Sequence, residues 1–393
     1  MNRPAQPTYR RVFWSAGFGW LFDALDVGLL SFILVQLAAD WGLTPADKGL
    51  LGTVTTAGMA IGAPLGGFLA DRLGRRPIFL ITLVLFGAAS LTSAFSPGLG
   101  FMMVCRLVMG LGLGAELPVA STLVNELAPA DKKGRTVVLL ESFWAGGWLA
   151  AAVLAFFVIP DYGWRVAVLA GSLPVVYAVL IRRNIPETRP AELRRKVPVA
   201  TLFRQHRRRT AVLWIVWFAV AFSYYGMFLW MPSVLVGKGF TMINSFKYVL
   251  LMTLAQLPGY FAAAWLVERW GRRPTLAAFL AMTAVCAAFF GAGSSETELL
   301  VWGALLSFFN LGAWGALYAY TPENYPDEIR ASGAGFASGF GRIGSAIAPY
   351  LVGVLVQKEY SYSAIFGLFA GVIALGVIVL VAFGRETKKR PLA

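Results

Sequence analysis

The sequence predicts an all-α membrane protein of twelve transmembrane helices arranged in two pseudo-symmetric six-helix bundles. Three observations predict it: an apolar composition, a one-sided distribution of positive charge, and an internal repeat that keeps separate motifs in one register. Of 393 residues, 58% are hydrophobic and only 14% charged, against about a quarter charged in an ordinary soluble chain. A spanning helix takes roughly 20 mostly apolar residues, so twelve take roughly 240. The remainder suffices for short loops and one longer linker.

The formal charge of +14 comes from 34 Lys and Arg against 20 Asp and Glu, and its placement decides its meaning. Twenty-seven of the 34 fall in the N-terminal stretch, the loops after even-numbered spans or the C-terminal stretch, and only five (Lys48, Arg165, Lys238, Lys247 and Lys358) fall near the opposite face. That asymmetry follows the positive-inside rule and predicts that both termini are cytoplasmic, with the chain multi-pass in a cell (inner or plasma) membrane. A nucleic-acid partner is not implied, because the basic residues are topological signals. The first apolar segment is longer than a signal peptide's core and carries two aspartates, so it is expected to be retained.

Apolar runs read against turn signals give spans near 11–37, 48–70, 77–96, 98–127, 134–159 and 163–183, then 210–235, 245–268, 274–292, 296–321, 328–356 and 361–384. Between the sets, 184–209 holds Pro186, Pro190 and Pro198 among many arginines and cannot cross a bilayer. The expected organisation is a six-helix bundle over 1–183, a basic cytoplasmic linker over 184–209, and a second bundle with its tail over 210–393.

The repeat is the strongest signal. Asp71-Arg72-Leu73-Gly74-Arg75-Arg76-Pro77 recurs as Glu268-Arg269-Trp270-Gly271-Arg272-Arg273-Pro274, an offset of 197 residues from 71 to 268, and the same offset takes Glu126 to Glu323 and Pro129 to Pro326. Glu187-Thr188 is echoed by Glu386-Thr387 with a shift of 199. Gly74 and Gly271 permit a tight turn, and Pro77 and Pro274 suit the first turn of the following helix. Two readings of the loop stand: a hairpin carrying orientation charges, or a latch in which the acidic and basic copies hold the halves together.

The pattern Gly67-x-x-x-Asp71-Arg72-x-Gly74-Arg75-Arg76, its second copy, and Arg106-x-x-x-Gly110-x-x-x-Gly114 resemble the signature motifs of the major facilitator superfamily, over essentially the whole chain. Within it, Asp23-Ala24-Leu25-Asp26, the stretch Gly114 to Ser121, and Gly341-Arg342-Ile343-Gly344-Ser345 look like the bacterial niacin transporters. Their relatives are the aromatic-acid:proton symporters, the organic ion transporters and the synaptic vesicle glycoproteins. The resemblance implies the major facilitator fold, a substrate site near the midplane and alternating access. It also implies a small aromatic carboxylate as substrate, most specifically nicotinate, imported with protons by a functional monomer in the lipid bilayer.

An ionisable side chain in the hydrocarbon layer is costly, so each one is a functional hypothesis by default. The candidates are Asp23 and Asp26 in the first span, Arg106 and Glu116 in the fourth, Glu141 in the fifth and Arg342 in the eleventh. At 1.5 Å rise per residue, Asp26 and Arg342 lie roughly 20 and 18 Å from the inner surface. Asp23 and Asp26 share a helix face, which favours holding a proton. In related symporters an acid resembling Asp26 works with an arginine matched here by Arg106, so the expectation is a coupling proton on Asp26, against a purely structural ion pair. Glu116 is either a second proton site or a hydrogen-bond acceptor for substrate. Gly110 and Gly114 form a small-residue strip that lets another helix approach.

Arg342 offers a planar donor fork that fits a carboxylate, with Ser338 and Ser345 on nearly the same face; packing against a buried acid is the other reading. Three aromatic groups stand out: Trp144 and Trp148 following Glu141, then Asn310, Trp314 and Tyr318 at a spacing of four, and Tyr224-Tyr225 deep in the seventh span. The resemblance singles out Tyr225, Trp314 and Phe156 as walls of an aromatic-ligand site. The expected gating motif comprises Gly67, Asp71, Arg72, Gly74, Arg75, Arg76 and Glu126, with Glu268, Arg269, Arg272, Arg273 and Glu323 in the second half.

No cofactor is implied. His206 is the only histidine, Cys105 and Cys286 sit in separate spans without ligand spacing, and no phosphate-cradling Gly-x-x-x-x-Gly-Lys run occurs. These absences argue against an enzyme or an ATP-driven pump. An exporter or multidrug carrier of organic cations is the rival within transport, and a non-transporting membrane receptor the rival outside it.

Overall fold

A computed structural model of the chain describes residues 6–73, 75–127, 133–182, 204–326 and 329–387. Within these helices the side chains of 6–12, 64, 67–68, 70–73, 75–76, 79–80, 115–127, 133–139, 173–182 and 330–332 stand outside the described set. All regular structure among the described residues is helical. In chain order the helices are α1 (Gln6–Trp41), α2 (Pro45–Leu73), α3 (Arg75–Ser93), α4 (Leu99–Leu127), α5 (Lys133–Arg182) and α6 (Arg207–Gly237). They continue as α7 (Met242–Leu254), α8 (Gln256–Arg269), α9 (Arg272–Ala292), α10 (Glu296–Glu323), α11 (Arg330–Gln357) and α12 (Tyr362–Phe383).

Eight helical stretches among the described residues are long and apolar enough to cross a membrane. Two departures from the expected spans have local causes. The fifth and sixth spans run together as α5, interrupted only at Gly163, whose φ of 81° and ψ of 168° take it out of helical geometry. The eighth span is broken at Ala255 into α7 and α8. Pro258 accounts for the break, because it has no N–H to give Leu254 and its ring crowds that carbonyl.

Three helix starts carry their own caps. Ser295 and Glu298 exchange hydrogen bonds in a capping box at the start of α10, the Ser361 hydroxyl accepts from the Ala364 N–H at 3.2 Å before α12, and Thr44 and Asp47 bond reciprocally before α2.

The chain packs as two compact units: one joins α1–α5 to residues 229–250 and 349–357, and the other holds the rest of α6–α12. In the first unit, glycines let helices meet backbone to backbone. A side chain on Gly58, Gly62, Gly110 or Gly114 would collide with the facing backbone, so α2 and α4 are in direct contact along the strip read from the sequence. Gly147 brings α5 equally close to Leu21 of α1. At the sparsely basic end of the same unit, Gly49 and Gly52 rest on Pro349, and Gly353 rests on Pro45. There Trp230 donates its indole N–H to the Pro349 carbonyl at 3.1 Å, and the Lys48 ammonium lies 5.1 Å from the centre of the Trp230 ring.

Candidate functional site

Deep in the first unit, α1, α3 and α4 assemble a charged cluster in an apolar setting. Arg106 Nη1 donates to Asp26 Oδ2 at 2.9 Å, with the arginine side chain 0% and the aspartate side chain 5% exposed. The Ser90 hydroxyl donates to the other carboxylate oxygen at 3.3 Å. The contact is monodentate, and Nε and Nη2 of Arg106 have no hydrogen-bond partner among the described residues. Asp23 is buried one turn before Asp26. The family resemblance implied the pairing of Asp26 with Arg106, whereas Ser90, one small hydroxyl in an apolar helix, gave no signal of its own.

Glu141, Trp144 and Trp148 are also buried in this unit. Trp144 meets Trp20 edge to face at 6.3 Å, and Trp148 fills the space beside Gly28 of α1. Phe156, on α5, packs edge-on against Phe157 at 4.9 Å. Glu116 and Glu126 lie on α4 with side chains outside the described set. The same holds for Asp71, Arg72, Arg75, Arg76 and Gly67, and Gly74 lies outside the described residues altogether.

In the second unit an arginine of α11 meets an aromatic array contributed by α6 and α10. Arg342 Nη1 donates to the Tyr225 hydroxyl at 3.3 Å. Tyr225 meets Tyr224 at 5.1 Å, and Tyr224 meets Trp314 at 5.6 Å, both edge to face. Trp314 and Tyr318 stack at 5.9 Å, and Trp217 stands edge-on to both while its indole N–H donates to Thr321 at 2.9 Å. The sequence reading missed Trp217, although its place seven residues before Tyr224 puts the two on one helix face. Ser345 and Ser338 spend their hydroxyls on the Arg342 and Gly335 carbonyls of their own helix, so they do not extend the donor fork. Asn310 is fully buried on the turn before Trp314.

The second copy of the repeated loop is held by the segment after α12. Gly271 has φ 109°, a value that favours glycine. The Glu386 carboxylate accepts from the backbone N–H groups of Arg272 at 3.0 Å and Arg273 at 3.1 Å, capping α9. Arg272 pairs with Glu268 at 3.3 Å and Glu323 at 3.1 Å, and Thr387 donates to Glu323 at 2.6 Å. Arg273 reaches the carbonyls of Leu380 and Val381. Arg269 instead lies 4.6 Å from the Trp265 ring centre. Among the described residues, the partners of Arg272 (Glu268, Glu323, Glu386 and the Val267 carbonyl) all lie in the second half of the sequence.

Helices long and apolar enough to cross a membrane, a buried charged pair and an internal duplication are the marks of a polytopic membrane transporter. The Major Facilitator Superfamily family model matches residues 16–258 and 248–393, and the chain belongs to that superfamily. It is 51% identical over 399 residues to a Bacillus subtilis (strain 168) protein named as a candidate niacin/nicotinamide transporter, NiaP, covering 100% of both chains. It is 45% identical over 426 residues to the "Niacin transporter NiaP" of Acinetobacter baylyi, covering 100% of this chain and 97% of that one. Among solved structures, the inward-open xylose transporter XylE of E. coli shares the fold at a TM-score of 0.80 and 17% identity, over 97% of this chain and 98% of that one.

Proposed function

We propose that this chain is a secondary carrier that imports nicotinate together with protons by alternating access. The observation that carries the reading is the contact line Arg342–Tyr225–Tyr224–Trp314: a fixed cation for a carboxylate beside an aromatic surface for a flat ring. Relatives named for niacin transport support the same substrate. The Asp26–Arg106–Ser90 cluster supports proton coupling, since protonating Asp26 would release Arg106 from its one described acceptor.

Functional halves at 1–183 and 210–393, joined by the basic segment 184–209, with both termini cytoplasmic and the carrier working as a monomer, complete the proposal. The positive-charge asymmetry supports that orientation. Uptake of labelled nicotinate into proteoliposomes, with and without an inward proton gradient, tests it, with nicotinamide, benzoate and a hydrophobic cation as competitors. Saturable uptake that the gradient stimulates and carboxylates block is the expected result. Displacement by cations in place of carboxylates would make the chain an exporter of organic cations, and binding without counterflow would make it a receptor.

A further inference from the structure

Six polar atoms on α8 and α10 of the second unit are shut away from solvent with no hydrogen-bond partner among the described residues. They are both amide atoms of Gln256, both of Asn310, the Ser307 hydroxyl and the Trp314 indole nitrogen. Gln256 and Asn310 are 0% exposed and Ser307 1%. Buried amides are nearly always paired, so four unpaired amide atoms mark a place where hydrogen-bonding capacity is held for something else. Ser307, Asn310 and Trp314 follow one another at i, i+3 and i+7 and therefore share one face of α10.

Gln256 is the first residue of α8, immediately beyond the break at Ala255. It faces that part of α10, because the contacts on either side of it bracket the stretch: Met252 packs on Gly303, and Gly259 packs on the Phe308 backbone. Trp314 in turn touches Tyr224, the neighbour of the tyrosine that holds Arg342. Asn310 thus lies one turn of α10 from the tryptophan that lines the aromatic array beside Arg342.

We propose that Asn310, oriented by Gln256, donates a hydrogen bond to the ring nitrogen of a pyridine carboxylate, so that this pair is the determinant by which the carrier separates nicotinate from benzoate. The inference rests on the nicotinate reading given above. A pyridine ring offers one in-plane acceptor and no donor. One amide N–H satisfies it, and the second amide closes the set by donating to the Asn310 carbonyl oxygen. Benzoate presents a C–H at the same place and leaves the Asn310 N–H without an acceptor. Gln256 stands at the break between α7 and α8, the kind of interrupted span at which transporters of this type place their sites.

Binding to the full-length protein in lipid nanodiscs tests this with nicotinate, benzoate and N-methylnicotinate, whose ring nitrogen is blocked. Wild type is expected to prefer nicotinate over both analogues by about tenfold to a hundredfold, the range for one buried hydrogen bond that the analogue cannot make. In Asn310→Leu and Gln256→Leu, nicotinate affinity should fall towards that of benzoate while benzoate affinity holds. Wild type that binds benzoate as tightly as nicotinate overturns the inference whether or not the variants fold. Folded variants that keep the wild-type preference also overturn it, and would leave the amides as holders of structural water. Folded wild type that binds no nicotinate at all overturns the proposed function instead.

Discussion

Replacing Asp26 with Asn removes one charge from a pair that has almost no contact with solvent. The described surroundings offer Arg106 a single acceptor at 2.9 Å, and two of its three nitrogens have no hydrogen-bond partner among the described residues. Removing one member of a buried pair costs about 3–5 kcal/mol, because the survivor's charge is left uncompensated. Asparagine keeps an amide oxygen for Arg106, so the lower half of that range is expected, read as a fall in the thermal midpoint of the purified protein. The double variant Asp26→Asn/Arg106→Gln should recover much of the loss, a non-additivity that a double-mutant cycle isolates. Transport separates the proton role from the structural one. Asp26→Asn should lose stimulation by an inward proton gradient while retaining nicotinate counterflow, which needs no net proton movement. Full gradient-driven uptake by Asp26→Asn would refute the coupling assignment, and additive effects in the cycle would refute the energetic argument.

Arg342→Ala should weaken nicotinate binding by about tenfold to a hundredfold, the worth of one charge-assisted hydrogen bond, and leave nicotinamide binding nearly unchanged in an equilibrium competition assay. Gly353→Val places a branched side chain against the Pro45 backbone; it should slow proteoliposome uptake by forcing α2 and α11 apart while binding in detergent persists. Glu386→Ala removes the acceptor at the start of α9 and should cost about 1 kcal/mol, as loss of a helix cap does. The expected readout is faster hydrogen exchange at the Arg272 and Arg273 amides, with exchange along α10 unchanged.

What the sequence revealed and what it hid divide along physical lines. Spans were legible because bilayer thickness sets their length, and Asp26 and Arg106 because charge in hydrocarbon stands out. The glycine strip of α4 was legible because its spacing is helical, and its partner proved to be the Thr55–Gly62 stretch of α2. Ser90 was not legible, since a lone serine in an apolar helix ordinarily bonds its own backbone, as Ser93 does to the Ser90 carbonyl. The break at Ala255 had a visible cause in Pro258, yet proline is common in spanning helices and often only bends them. Gln256 drew no notice because a single neutral amide lacks the cost that flags a charge; its unpaired state appears only once its neighbours are placed.

The repeat adds a last argument about how the work is divided. Moved by the 197-residue offset, Asp26 falls on Ser223 and Arg106 on Gly303, while Arg342 falls on Ala145 and Tyr225 on Gly28. Three of these four replacements have a local structural role in their own half. Ser223 bonds the Val220 carbonyl of its own helix, Gly303 admits Met252, and Gly28 admits Trp148. The scaffold motifs at the loops kept both copies, whereas the charged groups within the membrane were kept in one copy each. A duplicated carrier that needed the same chemistry twice would retain both sets. Retaining one acid–arginine pair in the first half, and one arginine–tyrosine contact in the second, is the division that the proposed carrier requires, with its proton site in one half and its anion site in the other.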